Sequence, residues 1–274
     1  MLIRVRHETI YRYGAPAKSA MQRLLVTPRN HDGQHVRQWR IDVDHDCCLV
    51  SGEDAFGNIE HRFFVEGPLQ SLTTLVEGEV ETFDQAGVVS GAVERVPLAL
   101  FLRETPLTRP DPALASFARD VAAPQLTTLA RLHALMAAIR ESLAFESSVI
   151  HPATTAAEAF AKRRGVCHDF AHVFIAAARA LGVPSRYVSG YLRQDDGGIA
   201  QVASHAWAEA HVEGLGWVGF DSVNALCPNE AYVRVAVALD QLGASPARGA
   251  RIGGGAEEMT VHVRVEDARA QSQS

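Results

Sequence analysis

The chain has 274 residues, 47% of them hydrophobic, and carries 26 Lys and Arg against 32 Asp and Glu. With mean hydropathy at −0.02, this is the composition of a globular protein of one large or two modest domains. A formal charge of −6 with scattered Lys and Arg offers no basic stripe to nucleic acid, and no apolar run approaches the roughly 18–20 residues that cross a bilayer.

Residues 1–14 (MLIRVRHETIYRYG) alternate as a strand does and lack the apolar core and cleavage site of a signal peptide. The expected location is therefore the cytoplasm. The strand pattern runs to about residue 85. Gly14-Ala15-Pro16 ends the first strand, and Pro28-Arg29-Asn30 closes MQRLLVTP. HVRQWRIDVDHD sets Val36, Trp39, Ile41 and Val43 largely on one side, and Asp54-Ala55-Phe56-Gly57-Asn58 is a turn signal. IEHRFFVEG and SLTTLVEGEVETF follow. Six or more short strands spaced by turn residues predict an antiparallel β-sandwich. Its histidines (His7, His31, His35, His45 and His61) are scattered and read as packing or solvated side chains.

The four cysteines, at 47, 48, 167 and 227, make no disulfide framework in a chain of this size. Cys47 and Cys48 are adjacent, which ordinary disulfide geometry disfavours, and they read as thiols in a strand. Cys227 precedes Pro228 in a predicted loop, with no base beside it.

Residues 86–111 lose the alternation and gain Gly and Pro, as a connector does. Pro112 then opens a helix with Asp111 as its cap. In TTLARLHALMAAIRESL, Leu129, Leu132, Met136, Ile139 and Leu143 share one helical face, and His133 on the same broad face reads as a buried polar residue. Residues 144–150 read as a short extended piece. TTAAEAFAKRR is a predicted helix that Gly165 stops. Phe170, Phe174, Ile175, Ala178 and Leu181 recur with a helical period, closed by Gly182 and Pro184.

Cys167 therefore stands at a helix N-terminus, where free backbone N–H groups and the helix dipole favour an anion such as a thiolate. The competing reading is a buried, inert thiol, and position alone does not decide between them.

Beyond Pro184 the strand pattern returns: SRYVSGYLR, a turn at Asp195-Asp196-Gly197-Gly198, then ASHAWAEAHVEG and GWVGFDSV. YVRVAVALD and MTVHVRVED bracket a Gly-rich loop, GASPARGARIGGG, which lacks the Lys-Ser/Thr of a phosphate loop. The polar tail from Ala268 to Ser274 reads as frayed.

A nucleophilic thiol needs a base, and the base needs a group that fixes its tautomer. In SHAWAEAHV, alternation puts His205, Trp207 and Glu209 on one face and Ala206, Ala208 and Ala210 on the other, the small face suiting the Cys167 helix. A turn centred near Leu215 would bring His205 opposite residue 225, a few positions from Asp221. The spacing permits a Cys–His–Asp triad without demonstrating one.

GVCHDFAHVFIAAARALGVPSRYVSGYL, followed by SHAWAEAHVEGLGWVGFDSVN, closely resembles the bacterial transglutaminase-like superfamily. YRYGAPAKSAMQRLLVTPR and DAFGNIEHRF resemble the β-domain that precedes the core in many bacterial members, and YVRVAVALD with the loop near Ile252 resembles their C-terminal strands. The resemblance implies an α+β protein: an N-terminal antiparallel β-sandwich with its connector over residues 1–100, then a papain-related catalytic domain over 101–274. Cys167 would be the nucleophile, His205 the general base and acid, and Asp221 the orienting group. The implied reaction is acyl transfer from a peptide or protein amide through a thioester. Water as acceptor makes a peptidase or amidase, and an amine makes a transglutaminase. No cofactor or metal is implied.

Two positions depart from similar sequences. His168 follows the cysteine where Gln is frequent, and Asp221-Ser222-Val223-Asn224 replaces an aspartate followed by Pro-Thr-Asn. The backbone N–H of Cys167 is the expected oxyanion donor, and His168 and Tyr191 are candidates for a second.

Three rival readings remain. The Cys167-x4-His172 spacing fits no closed zinc site, and His205 and His211 on one strand face lie about 20 Å apart. Arylamine N-acetyltransferases use Cys, His and Asp in this order but carry the cysteine much nearer the N-terminus. A non-catalytic binding scaffold retaining the triad is the third.

Overall fold

The computed structural model describes residues 1–146, 154–193 and 204–268. The N-terminal half is built on two long strands, β1 (Leu2–Thr27) and β4 (Ile59–Thr82), antiparallel along nearly their whole length. Shorter strands β2 (Gln34–Val43) and β3 (Val50–Glu53) flank opposite ends of β4. Gly14-Ala15-Pro16 does not end a strand. It sits inside β1, where the register with β4 breaks between Arg12 and Ala17. IEHRFFVEG and SLTTLVEGEVETF likewise form one strand through Gly67-Pro68. The expected sandwich of short strands is thus one sheet bent at these breaks. Tyr11, Leu72 and Val76 from one half and Ala20, Leu24, Phe63 and Val65 from the other share a single core. Cys47 and Cys48 lie just outside β3 rather than within a strand.

The connector is more ordered than its composition suggests. Its β5 (Val88–Val89) joins the second sheet, and a 3₁₀ turn spans Leu98–Leu102. Helix α1 (Pro112–Ala122) is capped by Asp111, whose Oδ1 accepts from the Leu114 N–H at 2.8 Å, a contact worth about 1 kcal/mol. Helix α2 (Thr128–Ser142) buries Leu132, Leu135, Met136 and Ile139. His133 falls on its exposed side with its ring edge against Phe220, not in the core as expected. After β6 (Ala144–Phe145) comes α3 (Ala156–Lys162), whose last turn ends at Arg163 in the left-handed region, φ 55°.

Gly165 does not stop that helix. It belongs to β7 (Arg164–Gly165), and a Cβ there would lie 2.6 Å from the Asp169 Cβ. Helix α4 (Cys167–Ala180) is buried on all sides, the signature of a central core helix. Helices α1, α2 and α3 surround it, and the second sheet lies across its remaining face.

That sheet runs β11-β8-β9-β10-β5, with β8 (Ser185–Leu192), β9 (His205–Val212), β10 (Gly216–Phe220) and β11 (Tyr232–Ala238). Ala206, Ala208 and Ala210 face the α4 core as their alternation predicts. The turn expected at Asp195–Gly198 lies outside the described residues.

Much of the stretch read as a Gly-rich loop is strand β12 (Ala247–Gly253), and β13 (Glu257–Asp267) follows. Both pair with β1. This corrects the expected division, in which residues 101–274 formed one domain: the chain returns at its end to the N-terminal sheet. Ile3, Val5, Val80 and Val263 of that sheet enter the same core as α4, so the two sheets share buried surface. Among the described residues, no helix is long and apolar enough to cross a membrane.

Candidate active site

Cys167 opens α4, and the turn before it is held by one side chain. Asp169 Oδ2 accepts from the Val166 N–H at 2.9 Å, and Gly165 lacks the Cβ that would collide with that carboxylate at 2.7 Å. The Cys167 thiol lies 4.0 Å from the Ser204 carbonyl oxygen, which sets it beside the start of β9 and therefore beside His205.

His205 and Asp221 meet as their spacing allows, with one change of register. The β9–β10 turn centres on Gly214, not Leu215. Gly214 and Gly216 both take positive φ, 83° and 84°, a region that favours glycine. Continued past Phe220, this register sets His205 opposite Val223 rather than residue 225. Asp221 is then its diagonal neighbour on the same face, within reach of a long or aromatic side chain. His205 Nε2 donates to Asp221 Oδ2 at 2.7 Å.

Nδ1 is the ring nitrogen that Asp221 leaves unengaged, and Cys167 lies close enough to act on the imidazole. Burial opposes the imidazolium. The bonds and charges of Asp221 and Cys167 outweigh it and raise His205 to about 10. Burial likewise opposes the Asp221 carboxylate, but its bond to His205, then the His205 charge and the donors Tyr232 and Asn224, hold it below the usual carboxylate range.

Sequence reasoning missed several residues that complete this arrangement. Tyr232 OH and Asn224 Nδ2 each donate to Asp221 Oδ2 at 2.7 Å. Asp221 Oδ1 accepts from the backbone N–H groups of Val223 and Asn224, an Asx-type turn that Asp221-x-x-Asn224 foreshadows. The departure after Asp221 therefore keeps an asparagine that bonds the Asp221 carboxylate. Tyr187, on β8, is buried with its ring against His172. Burial first, then the charges of Cys167 and Asp169, raise its hydroxyl well above its ordinary range. Nothing in its local pattern distinguishes it from a core tyrosine.

The two candidates for a second oxyanion donor fare poorly. Tyr191 OH shares a 3.0 Å hydrogen bond with Nδ1 of the buried His7, at the junction with the N-terminal sheet. His168 is buried, with Nε2 3.5 Å from Asp169 Oδ1. Its ring centroid is 6.2 Å from that of His172. His172 Nε2 in turn accepts from the Gln241 N–H at 3.0 Å, and burial lowers His172 to about 3. Among the described residues no group of three or more His, Cys, Asp or Glu is arranged to hold a metal.

On the same sheet face as His205 lies an ionic cluster. The fully buried Glu209 accepts from Arg186 Nε at 2.6 Å and Arg234 Nε at 2.7 Å. Arg186 also binds Glu94 of the connector and stacks 3.8 Å over the Trp217 ring. The cluster ties the connector, β8, β9 and β11 together around the strand that carries His205.

Comparison with known proteins agrees with this architecture. Residues 115–222 match the transglutaminase-like superfamily profile, and residues 3–81 match the bacterial transglutaminase-like N-terminal region. An uncharacterised protein of Mycobacterium leprae is 29% identical over 276 residues, covering 96% of this chain and 98% of that protein. One from Mycobacterium bovis is 28% identical over 273 residues, covering 90% and 86%. The crystal structure of a proposed cysteine protease from Cytophaga hutchinsonii superposes with a TM-score of 0.79 at 22% identity, covering 98% of this chain and 91% of that one. The α+β fold is therefore the papain-related transglutaminase-like one. The chain belongs to the transglutaminase-like superfamily, with a bacterial transglutaminase-like N-terminal region preceding its core.

Proposed function

We propose that the protein is a thiol acyl-transfer enzyme acting on peptide or isopeptide amides, with Cys167 as nucleophile, His205 as general base and acid, and Asp221 as the group that orients His205. The observation that carries this reading is the position of His205, bonded through Nε2 to a buried carboxylate and next in the chain to Ser204, whose carbonyl lies 4.0 Å from the thiol at the start of α4. A nucleophile, its base and the base's anchor in series form the general pattern of covalent acyl transfer.

In the proposed reaction Cys167 Sγ adds to the amide carbonyl carbon. The oxyanion forms beside the free N–H groups of the first turn of α4. As the C–N bond breaks, imidazolium His205 gives its proton to the departing amine. Water or a second amine then attacks the thioester and gives a proton to His205, and the C–S bond breaks to return the thiolate–imidazolium pair.

We favour hydrolysis, giving a peptidase or amidase. The Cytophaga hutchinsonii neighbour is itself proposed to be a cysteine protease, and the favoured substrate here is a peptide or protein amide. The test is a paired assay of the purified protein: amide hydrolysis from a peptide library, and incorporation of a labelled primary amine into a glutamine-containing protein. Product in the first assay only supports hydrolysis, and product in the second supports amine transfer. Product in neither, with a Cys167 no more reactive than an ordinary thiol, returns the protein to the binding-scaffold alternative.

A further inference from the structure

Strand β11 is the edge of the catalytic sheet, paired on one side with β8. A bare edge leaves a row of backbone donors and acceptors without partners. Here the other side is closed by two side-chain carboxamides from the N-terminal half. Gln34 Oε1 accepts from the Arg234 N–H and its Nε2 donates to the Arg234 carbonyl, both at 2.8 Å. Asn58 does the same at Val237, again with both bonds at 2.8 Å. Each amide supplies the donor and acceptor that a neighbouring strand would supply.

The spacing of the two clips fits this substitution. Outward-facing backbone groups recur every second residue in a regular strand, whereas 234 and 237 are three apart. The register of β11 against β8 shifts between Arg234 and Ala236, and the extra residue of that bulge restores the match. Both carboxamides are themselves anchored. Gln34 Nε2 also donates to the Arg29 carbonyl at 2.8 Å, and Asp54 accepts from the Asn58 N–H and Nδ2 at 2.9 and 2.8 Å. Thr82 adds a third grip, donating to the Glu230 carbonyl just before β11 at 2.5 Å.

The residue that opens β11 is Tyr232, whose hydroxyl donates to Asp221 Oδ2. We propose that the N-terminal sheet is a working part of the catalytic centre: Gln34 and Asn58 fix β11 as a substitute strand would, and Tyr232 is the positioning residue through which β11 fixes Asp221 against His205. This rests on the triad reading above. Besides Tyr232, the groups facing the His205–Asp221 pair are Cys167 from α4 and Asn224 from the turn after β10. Glu209, farther along β9, is already engaged by Arg186 and Arg234.

The test is the pH profile of Cys167 alkylation by iodoacetate in the full chain. Its carboxylate is drawn to the imidazolium, so the rate falls on the alkaline side as His205 loses its proton. A carboxylate relieved of one neutral donor holds its imidazolium more strongly. Tyr232→Phe should therefore move the alkaline limb upward by at least about half a pH unit. Gln34→Ala should move it the same way, and the double variant should move it no farther than the larger single shift. Lost stability alone would not move the limb of the folded protein. If Gln34→Ala does not fold, Gln34→Met keeps the length of the side chain and removes both bonds. An unmoved limb in Tyr232→Phe, an unmoved limb in the folded Gln34 variant, or additive shifts would overturn the proposal. Failure of the triad reading looks different: wild-type Cys167 would then alkylate as an ordinary thiol with no alkaline fall.

Discussion

His205 Nε2 donates to Asp221 Oδ2 across 2.7 Å, and this bond decides which ring nitrogen remains for Cys167. An ionised carboxylate can only accept, so it holds the proton on Nε2 and, in the proposed mechanism, leaves Nδ1 to exchange protons with the thiol. Asp221→Asn presents an amide that can also donate to Nε2, which permits the wrong tautomer. Acyl-enzyme formation, followed with an activated ester, should slow by about 10²–10⁴, while circular dichroism stays that of the parent. A variant with the parent's rate would remove Asp221 from the mechanism.

The raised pKa of His205 gives its contribution to stability a defined pH window. A group whose folded value lies above its unfolded value stabilises the fold fully below the unfolded value and loses that contribution as pH rises through the folded one. For His205 the window runs from 6.5 to about 10. The gap in Tm between the parent and His205→Gln should be widest below pH 6.5 and close toward pH 10. A gap that widens with pH would contradict the assigned ion pair.

Glu209 has the opposite sign. Burial works against its charge, but Arg234 and Arg186 hold it at about 2, below its ordinary 4.5. Its contribution is present above pH 4.5 and is lost as pH falls toward 2. Glu209→Ala leaves two buried guanidinium groups without their shared carboxylate and should cost about 3–5 kcal/mol in urea unfolding at pH 7. A cost below about 1 kcal/mol would mean that the cluster relaxes into solvent.

Gly165→Ala tests the turn that presents Cys167. The added methyl group would meet Asp169 Cβ at 2.6 Å and Oδ2 at 2.7 Å, driving the carboxylate from the Val166 N–H. Alkylation of Cys167 should slow several-fold while that of Cys48, which is exposed, stays unchanged. Equal slowing at both would point to a global change instead.

The helix-borne cysteine and the strands of His205 and Asp221 were legible because each rests on local periodicity: an apolar stripe after Cys167, and alternation through SHAWAEAHV. The β1 and β4 strands were misdivided because Gly14-Ala15-Pro16 and Gly67-Pro68 carry turn chemistry that long-range pairing overrides. The return of β12 and β13 to β1 has no local signature, since the pairing of Val5 with Val265 is a fact of tertiary contact alone. Tyr232 escaped notice for the same reason: it reaches Asp221 only after β11 folds back across β8. The carboxamide clips of Gln34 and Asn58 are still less visible, because their partners at Arg234 and Val237 are backbone groups, which carry no sequence information.

The central claim is that Cys167 is the activated nucleophile. The most direct measurement is limited alkylation with iodoacetamide at pH 6, followed by mass-spectrometric mapping over all four cysteines. The account predicts that Cys167 is labelled first, that His205→Ala suppresses this labelling, and that Cys167→Ala abolishes amide hydrolysis and amine transfer alike. Preferential labelling of Cys227 or Cys47, or activity that survives Cys167→Ala, would contradict it.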